Sequence, residues 1–234
     1  MGSRRGPIQG GTRHQRRYRT DWRPLDTGRA GREGVLVKGG IHLENLGKIE
    51  AIAFDKTGTL TQGEPVVTAV IAFEGSENYL LRQAASVEQY PEHHLGEAIL
   101  TATAEHGLEQ TDASEFSSIT GYGAQAQIVE ETGYVGKPSL FDRFDYDIVE
   151  IQEVDGLQND GKTAVLVGTL NRLIGVIAFK DEPHAEAEHV VVELQERGIE
   201  VLMLTGDNEH TARAIGTKIG IDDVSSGLET RRKG

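Results

Sequence analysis

Asp55 stands at the end of a short apolar run and is followed by residues that can hold phosphate oxygens. The run at residues 49–54 alternates too little for a surface strand and predicts a buried parallel strand. The sequence Asp-Lys-Thr-Gly-Thr-Leu-Thr at residues 55–61 then supplies a carboxylate, an ammonium group, hydroxyls and the N–H groups of a turn. An aspartate in this setting can form an acyl phosphate, so we predict Asp55 as the nucleophile of a phosphoryl transfer.

Thr57 lies two residues beyond this nucleophile. In phosphatases that use an aspartate in this way, a second aspartate at that place protonates the leaving group and later activates water. A threonine hydroxyl cannot act as that base. We therefore expect the acyl phosphate on Asp55 to be long-lived, which favours an energy-transducing enzyme over a phosphatase.

The elements that follow Asp55 change in type along the chain. An α+β pattern begins near residue 63, with strand-like segments at 66–73, 116–135 and 163–167 and helical segments at 78–87 and 94–106. From Arg172 onward, strands alternate with helices: 173–179, 185–197, 201–205 and 210–219. Strands that alternate with helices predict a parallel sheet. The fold class is therefore α/β, a doubly wound parallel sheet interrupted by an inserted α+β domain.

This interpretation divides the chain into four stretches. Residues 1–34 carry nine arginines and three acidic residues with little hydrophobic periodicity, and predict a disordered basic arm. Residues 35–62 and 171–234 are the two parts of the parallel-sheet domain, and residues 63–170 are the insertion. The body beyond the arm is strongly acidic, because the whole chain has a net charge of −13, and this disfavours nucleic acid as a partner.

Composition excludes several other functions. The chain has no cysteine, so it has neither disulfides nor thiolate metal ligands nor a cysteine nucleophile. It has no signal-peptide pattern and no apolar run of the ~18–20 residues that span a bilayer. We therefore expect this chain by itself to be soluble and cytoplasmic.

The motif at residues 55–61 closely resembles the phosphorylation motif of P-type ATPases, and Thr-Gly-Asp-Asn at 205–208 is similar to a second motif of that family. The resemblance implies a haloacid-dehalogenase-like phosphorylation domain. It implies that Thr205 and Gly206 contact the transferred phosphoryl group and that Asp207 organises the site, with Lys56 and Thr57 beside Asp55. Asp181 matches an aspartate of the family, although His184 stands where an arginine is frequent.

The insertion resembles the nucleotide-binding domain of the heavy-metal subgroup. Glu88 and His93 match two residues that contact adenine in that subgroup, although His94 replaces the expected proline. Gly121 and Gly123 match its Gly-x-Gly, and Gly136 matches a third glycine near the nucleotide. Residues 37–44 are nearer the zinc, cadmium and lead branch than the copper branch.

The resemblance also implies cofactors and partners. These are ATP, Mg²⁺ held at Asp55 and Thr57, and a heavy-metal cation, Zn, Cd or Pb, that passes through membrane helices absent from this sequence. Lys233 aligns with a phosphate-contacting lysine of the family, whereas the family's Mg²⁺-binding Gly-Asp-Gly segment is expected beyond Gly234. The chain is thus expected to be a fragment truncated at both ends, and the full-length family works at the cytosolic face of the plasma membrane.

Three hypotheses follow from these motifs. The first is the ATP-binding catalytic fragment of a heavy-metal ATPase that forms an aspartyl phosphate. The second is a phosphatase of the haloacid-dehalogenase-like superfamily, which Thr57 disfavours. The third is a nucleotide-binding module without turnover.

Overall fold

The structure, a computed structural model, describes residues 48–91, 93–142, 144 and 151–227. These residues form two β-sheets. Both sheets belong to the compact unit that begins at Glu50. The predicted arm at 1–34, the segment 37–44 and Lys233 lie outside the described residues.

The secondary structure elements are these, in chain order. The strands are β1 (Ala51–Asp55), β2 (Val66–Ala72), β3 (Ala113–Ile119), β4 (Gly123–Ile128), β5 (Glu131–Gly136), β6 (Thr163–Gly168), β7 (Leu173–Lys180), β8 (Glu200–Leu204) and β9 (Asp223–Ser225). The helices are α1 (Glu77–Val87), α2 (His94–Glu105), α3 (Pro138–Phe141), α4 (Ile151–Asn159), α5 (Ala187–Glu196) and α6 (Glu209–Ile219).

The first sheet is parallel, in the order β1-β8-β9. Its core lies on one face, where Val201 and Met203 of β8 are buried beneath α5 and α6. Val191 of α5 and Ile215 of α6 are the buried apolar side chains that those helices contribute. Because all three strands run in one direction, the loops after β1 and β8 leave the same edge of the sheet.

Strand β1 is parallel, as predicted, but it is not buried. Ile52 and Phe54 are half-buried on the face that α5 and α6 cover, whereas Ala51, Ala53 and Asp55 are exposed. In the described part of the chain β1 lies at the edge of its sheet, and α5 and α6 pack on the face of Val201 and Met203. The prediction that this strand is buried was therefore wrong, although the strand itself was correctly identified.

The second sheet is antiparallel, in the order β2-β7-β6-β5-β4-β3. Helices α1 and α2 cover one of its faces, with Leu81 and Ile99 fully buried, and α3 and α4 cover the other, with Leu140 and Val154 buried. The predicted α/β class, with a parallel sheet and an added α+β part, is confirmed.

One strand lies in a different sheet from the one predicted. The segment 173–179 was expected in the parallel sheet, but β7 pairs antiparallel with β2 and β6. Alternate residues of β7 face the two helical layers, so Val176 and Ile177 are both completely buried. A strand buried on both faces has a continuous apolar sequence whichever way its neighbours run, so the pattern could not separate the two cases. Helices α3 and α4 were not predicted.

Glu182, in the loop after β7, is held by two lysines. Lys180 Nζ lies 2.7 Å from one carboxylate oxygen, and Lys218 Nζ at the end of α6 lies 2.8 Å from the other. Hydrogen bonds from Lys180 and Lys218 lower the pKa of Glu182 from 4.5 to about 2. These two ion pairs connect β7 of the antiparallel sheet to α6, which packs on the parallel sheet.

We expect Glu182→Gln to destabilise the fold more at neutral pH than in acid. A carboxylate with a lowered folded pKa contributes stability above about pH 4.5, and this contribution is lost as pH falls toward 2. All three side chains are about half-exposed, so the contribution is about 1 kcal/mol or less. Urea unfolding at pH 7 and pH 3 measures it, with Glu196→Gln as a surface control. An equal deficit of the variant at both pH values would contradict this assignment.

Val129 occupies the turn between β4 and β5 with a backbone that valine disfavours. The two residues between Ile128 and Glu131 form a tight hairpin turn, and Val129 has a φ of 57° with 78% of its surface exposed. Two-residue hairpin turns with positive φ at the first position favour glycine there.

We therefore expect Val129→Gly to raise the free energy of unfolding by about 1 kcal/mol, because it removes a β-branched side chain from the left-handed region. Val66 of β2 is an exposed valine in an extended strand, so Val66→Gly should destabilise the protein. The urea midpoints of the two variants measure both effects. A midpoint of Val129→Gly below that of the unmodified chain would refute the assigned strain.

Candidate active site

Lys56 and Asp207 connect the loops that follow two neighbouring strands. The register of β1 and β8 pairs Asp55 with Leu204, so the segment 205–208 begins beside Asp55. Lys56 is buried, with 5% of its surface exposed, and its Nζ donates to Asp207 Oδ2 at 2.5 Å. The two predicted motifs, far apart in sequence, are thus joined by an ion pair at one edge of the parallel sheet.

The turn after Asp55 is shaped by Gly58 and fixed by Asp181. Gly58 has a φ of 72°, which reverses the chain within the segment Lys56–Leu60. The buried hydroxyl of Thr61 donates to Asp181 Oδ2 at 2.6 Å, and the N–H of Gly63 donates to Asp181 Oδ1 at 3.0 Å. Asp181 therefore holds the returning end of the turn, and it also lines the cleft described below.

The segment 205–208 is fixed at both ends. The N–H of Thr205 donates to the Ser225 carbonyl at 3.0 Å, and the Thr205 hydroxyl accepts a hydrogen bond from the Asp207 N–H at 3.1 Å. Asn208 caps α6, because its Oδ1 accepts from the Thr211 N–H at 2.9 Å. These contacts hold the Asp207 carboxylate toward Lys56 without any contribution from a ligand.

A cleft of about 350 Å³ lies between this edge of the parallel sheet and the antiparallel sheet. Eight of the predicted site residues line it: Lys56, Thr57, Asp207, Glu88, His93, Gly121, Gly123 and Gly136. Gly206 lines an adjoining cavity of about 510 Å³ that shares Gly121 and Asp207 with the cleft. Asp55 is exposed and directly precedes the lining residues Lys56 and Thr57, and Thr205 is buried beneath the segment that carries Asp207.

The three predicted glycines differ in what a side chain would meet. At Gly121, which has a φ of 82°, the space around a Cβ is open. Gly123 and Gly136 face each other across β4 and β5, and a Cβ on them would lie 2.1 Å from the Val135 carbonyl oxygen and 2.4 Å from the Tyr122 carbonyl oxygen. Close passage of the backbone therefore requires the last two to be glycine, whether or not a ligand is bound.

Glu88 lies at the end of α1 with 1% of its surface exposed, packed against Gly96 in the first turn of α2. A Cβ on Gly96 would lie 2.5 Å from Glu88 Oε2 and 2.8 Å from Pro91 Cβ. Gly96 was not predicted as a site residue, although a glycine inside a helix is costly enough to signal a close contact. His93 immediately precedes α2, and His94 Nδ1 lies 3.5 Å from Glu97 Oε2.

The carboxylates at this edge differ in how much metal-binding capacity they retain. Asp207 is paired with Lys56, and both oxygens of Asp181 accept hydrogen bonds from the protein. The described residues include no group of three or more His, Cys, Asp or Glu that could hold a metal ion. Mg²⁺ at phosphate sites is commonly held by one or two carboxylates together with phosphate oxygens and water. The exposed carboxylate of Asp55 fits that type of site.

Curated relatives match most of the chain. It is 42% identical over 209 residues to a probable cadmium-transporting ATPase of Staphylococcus aureus, a match that covers 86% of this chain and 26% of the relative. It is 36% identical over 205 residues to a copper-exporting P-type ATPase of Staphylococcus haemolyticus, covering 87% of this chain and 25% of the relative. The chain thus spans about a quarter of the length of these relatives. Of the described helices, none is long and apolar enough to cross a bilayer.

A solved structure agrees with these matches. The chain is similar to a zinc-transporting PIB-type ATPase in its E2.Pi state, with a TM-score of 0.59 and 36% identity over 85% of this chain and 32% of that protein. The family model described as haloacid dehalogenase-like hydrolase matches residues 49–232, which include β1 and every described element after it. The chain therefore belongs to the haloacid dehalogenase-like hydrolases.

Proposed function

We propose that this chain is the ATP-consuming catalytic part of a heavy-metal-transporting P-type ATPase and that Asp55 accepts the γ-phosphoryl group of ATP. The proposal rests on one observation: the same cleft is lined by Lys56, Thr57 and Asp207 and by Glu88 and His93. Similarity to cadmium- and zinc-transporting ATPases supports the same reaction. The volume of the cleft and the adjoining cavity suits a nucleotide-sized ligand.

In this proposal the antiparallel sheet binds the nucleoside. The carboxylate of Glu88 and the imidazole of His93 hold the adenine, and the turn at Gly121 approaches the nucleotide through its backbone. Gly123 and Gly136 keep β4 and β5 close enough to form that wall of the cleft. The phosphates then extend toward Lys56 and Thr57 at the opposite wall.

The transfer itself forms one bond and breaks one. A carboxylate oxygen of Asp55 bonds to the γ-phosphorus while the bond to the β,γ-bridging oxygen breaks, and ADP leaves with that electron pair. The Thr57 and Thr205 hydroxyls and the Gly206 N–H are assigned to the equatorial oxygens, since such transfers depend on positioning and electrostatic stabilisation. Lys56 stays fixed by Asp207. Lys233 is assigned to offset the developing charge.

Mg²⁺ bound at Asp55 and Thr57 would neutralise phosphate charge. Water later attacks the phosphorus of the aspartyl phosphate and releases inorganic phosphate and the Asp55 carboxylate. Thr57 has no carboxylate with which to activate that water, so the intermediate persists. A transport cycle needs a long-lived phosphorylated intermediate, whereas a phosphatase does not.

The transported cation and the domain boundaries are also proposals. Greater identity to the cadmium ATPase than to the copper ATPase supports a cation such as Zn, Cd or Pb, moved across a membrane by the complete transporter. We assign residues 35–62 to the phosphorylation domain and take the insertion to begin at residue 63. Because β7 belongs to the antiparallel sheet, we place the end of the insertion at Lys180 rather than residue 170.

Incubation with γ-labelled ATP and Mg²⁺ tests the assignment of Asp55. We expect label that survives acid but is released by hydroxylamine, as an acyl phosphate is, and a loss of at least about 100-fold in Asp55→Asn. Asp160→Asn, an exposed aspartate after α4, is the control and should be labelled normally. Label that persists in Asp55→Asn would contradict the assignment. Protein that binds ATP without labelling would favour a nucleotide-binding module, and rapid turnover of simple phosphate esters would favour a phosphatase.

Gly96→Ala tests the role of Glu88 without changing that residue. The added methyl group must displace the Glu88 carboxylate, so we expect the Kd for ATP to rise roughly tenfold, the loss expected for one hydrogen bond to a charged group. Gly156→Ala in α4 is the matched control, since a Cβ there meets nothing within 4 Å, and its affinity should be unchanged. Calorimetric titration measures both. A folded Gly96→Ala variant with the affinity of the unmodified chain would remove Glu88 from the nucleotide site.

A further inference from the structure

Lys137 reaches from the antiparallel sheet to the segment that carries Asp207. It directly follows Gly136 at the end of β5, and its Nζ donates to the carbonyl oxygen of Gly206 at 3.0 Å. The two residues are 69 positions apart in sequence. This hydrogen bond joins the proposed nucleotide-binding wall directly to the proposed phosphorylation site.

The backbone of Lys137 is fixed, so its side chain starts from a defined point. Its N–H donates to the Tyr122 carbonyl at 2.8 Å, and Pro138 after it begins α3. Leu140 and Phe141 of α3 are buried in the core beneath the antiparallel sheet. The side chain itself is exposed and lines both the cleft and the adjoining cavity.

Among the described residues, the two lysines that line the cleft, Lys56 and Lys137, differ in whether a carboxylate neutralises their charge. Lys56 is buried and its ammonium group is paired with the carboxylate of Asp207. The ammonium group of Lys137 instead donates to a neutral carbonyl, which does not neutralise its positive charge. The chain as a whole has a net charge of −13. Lys137 therefore presents an exposed cation to a polyphosphate that enters the cleft, at the boundary between the two walls.

We propose that Lys137 binds the outer phosphates of the nucleotide, an inference that rests on the proposed function. Without nucleotide, Lys137 holds the antiparallel sheet to Gly206. When ATP binds, Nζ exchanges that carbonyl for a β- or γ-phosphate oxygen. The exchange is favourable because a phosphate oxygen carries negative charge, so it adds a Coulombic attraction to the ammonium group that the neutral carbonyl does not supply. Lys137 thereby guides the γ-phosphoryl group toward Asp55 and distinguishes nucleotides that carry a β-phosphate from AMP and adenosine.

Calorimetric titration of the whole chain with ATP, ADP, AMP and adenosine tests this role. Lys137→Met keeps the apolar stem and removes the charge, and we expect it to weaken ATP binding about tenfold or more. Adenosine and AMP should bind within about twofold of the unmodified chain, because they lack the outer phosphates. Lys137→Arg should restore most of the affinity for ATP. Lys218→Met, which removes one positive charge from α6 outside the cleft, is the control and should bind all four ligands normally.

Two results would overturn the inference. One is an equal loss for all four ligands, which would make Lys137 only a support of the cleft. The other is unchanged ATP affinity in a Lys137→Met variant whose thermal unfolding is normal. If Lys137→Met does not fold, the comparison is made with Lys137→Gln. An unmodified chain that binds ATP no better than adenosine would instead count against the proposed function itself.

Discussion

The ion pair between Lys56 and Asp207 is the contact on which the arrangement of this site depends. Lys56 is buried, so its ammonium group has lost most of its water, and the carboxylate of Asp207 compensates for that loss. Removing either partner would leave an uncompensated charge, a change that costs about 3–5 kcal/mol at buried pairs and less here, where Asp207 keeps 18% of its side chain exposed. The pair fixes the loops after β1 and β8 relative to each other.

The rest of the site is built outward from that pair. Asp181 holds the far end of the turn that begins at Lys56, through the hydroxyl of Thr61 and the N–H of Gly63. On the other wall, close backbone passage at Gly123 and Gly136 fixes β4 against β5 and places Gly121 at the turn before them. Each wall is therefore held by contacts of its own, and the contacts that cross the cleft connect the two walls.

A feature could be predicted from the sequence where its residue pattern fits only one kind of structure or chemistry. The motif at 55–61 could be interpreted because a carboxylate, a lysine and a glycine turn after a strand suit one kind of chemistry. The sequence could not show to which of the two sheets β7 belongs, because a strand covered by helices on both faces is equally apolar in a parallel and in an antiparallel sheet. Gly96 and Lys137 were missed for a different reason, since their roles depend on contacts with Glu88 and Gly206 that only the folded chain creates.

In the proposed reaction, one cleft binds the nucleotide and presents its terminal phosphate to Asp55. The most direct measurement is a crystal structure of the chain with Mg²⁺, ADP and aluminium fluoride, which mimics the phosphoryl group in transfer. We expect adenine beside Glu88 and His93 and, in the same molecule, the fluoride complex within about 3–3.5 Å of an Asp55 carboxylate oxygen. A nucleotide bound outside this cleft, or a fluoride complex held away from Asp55, would contradict it.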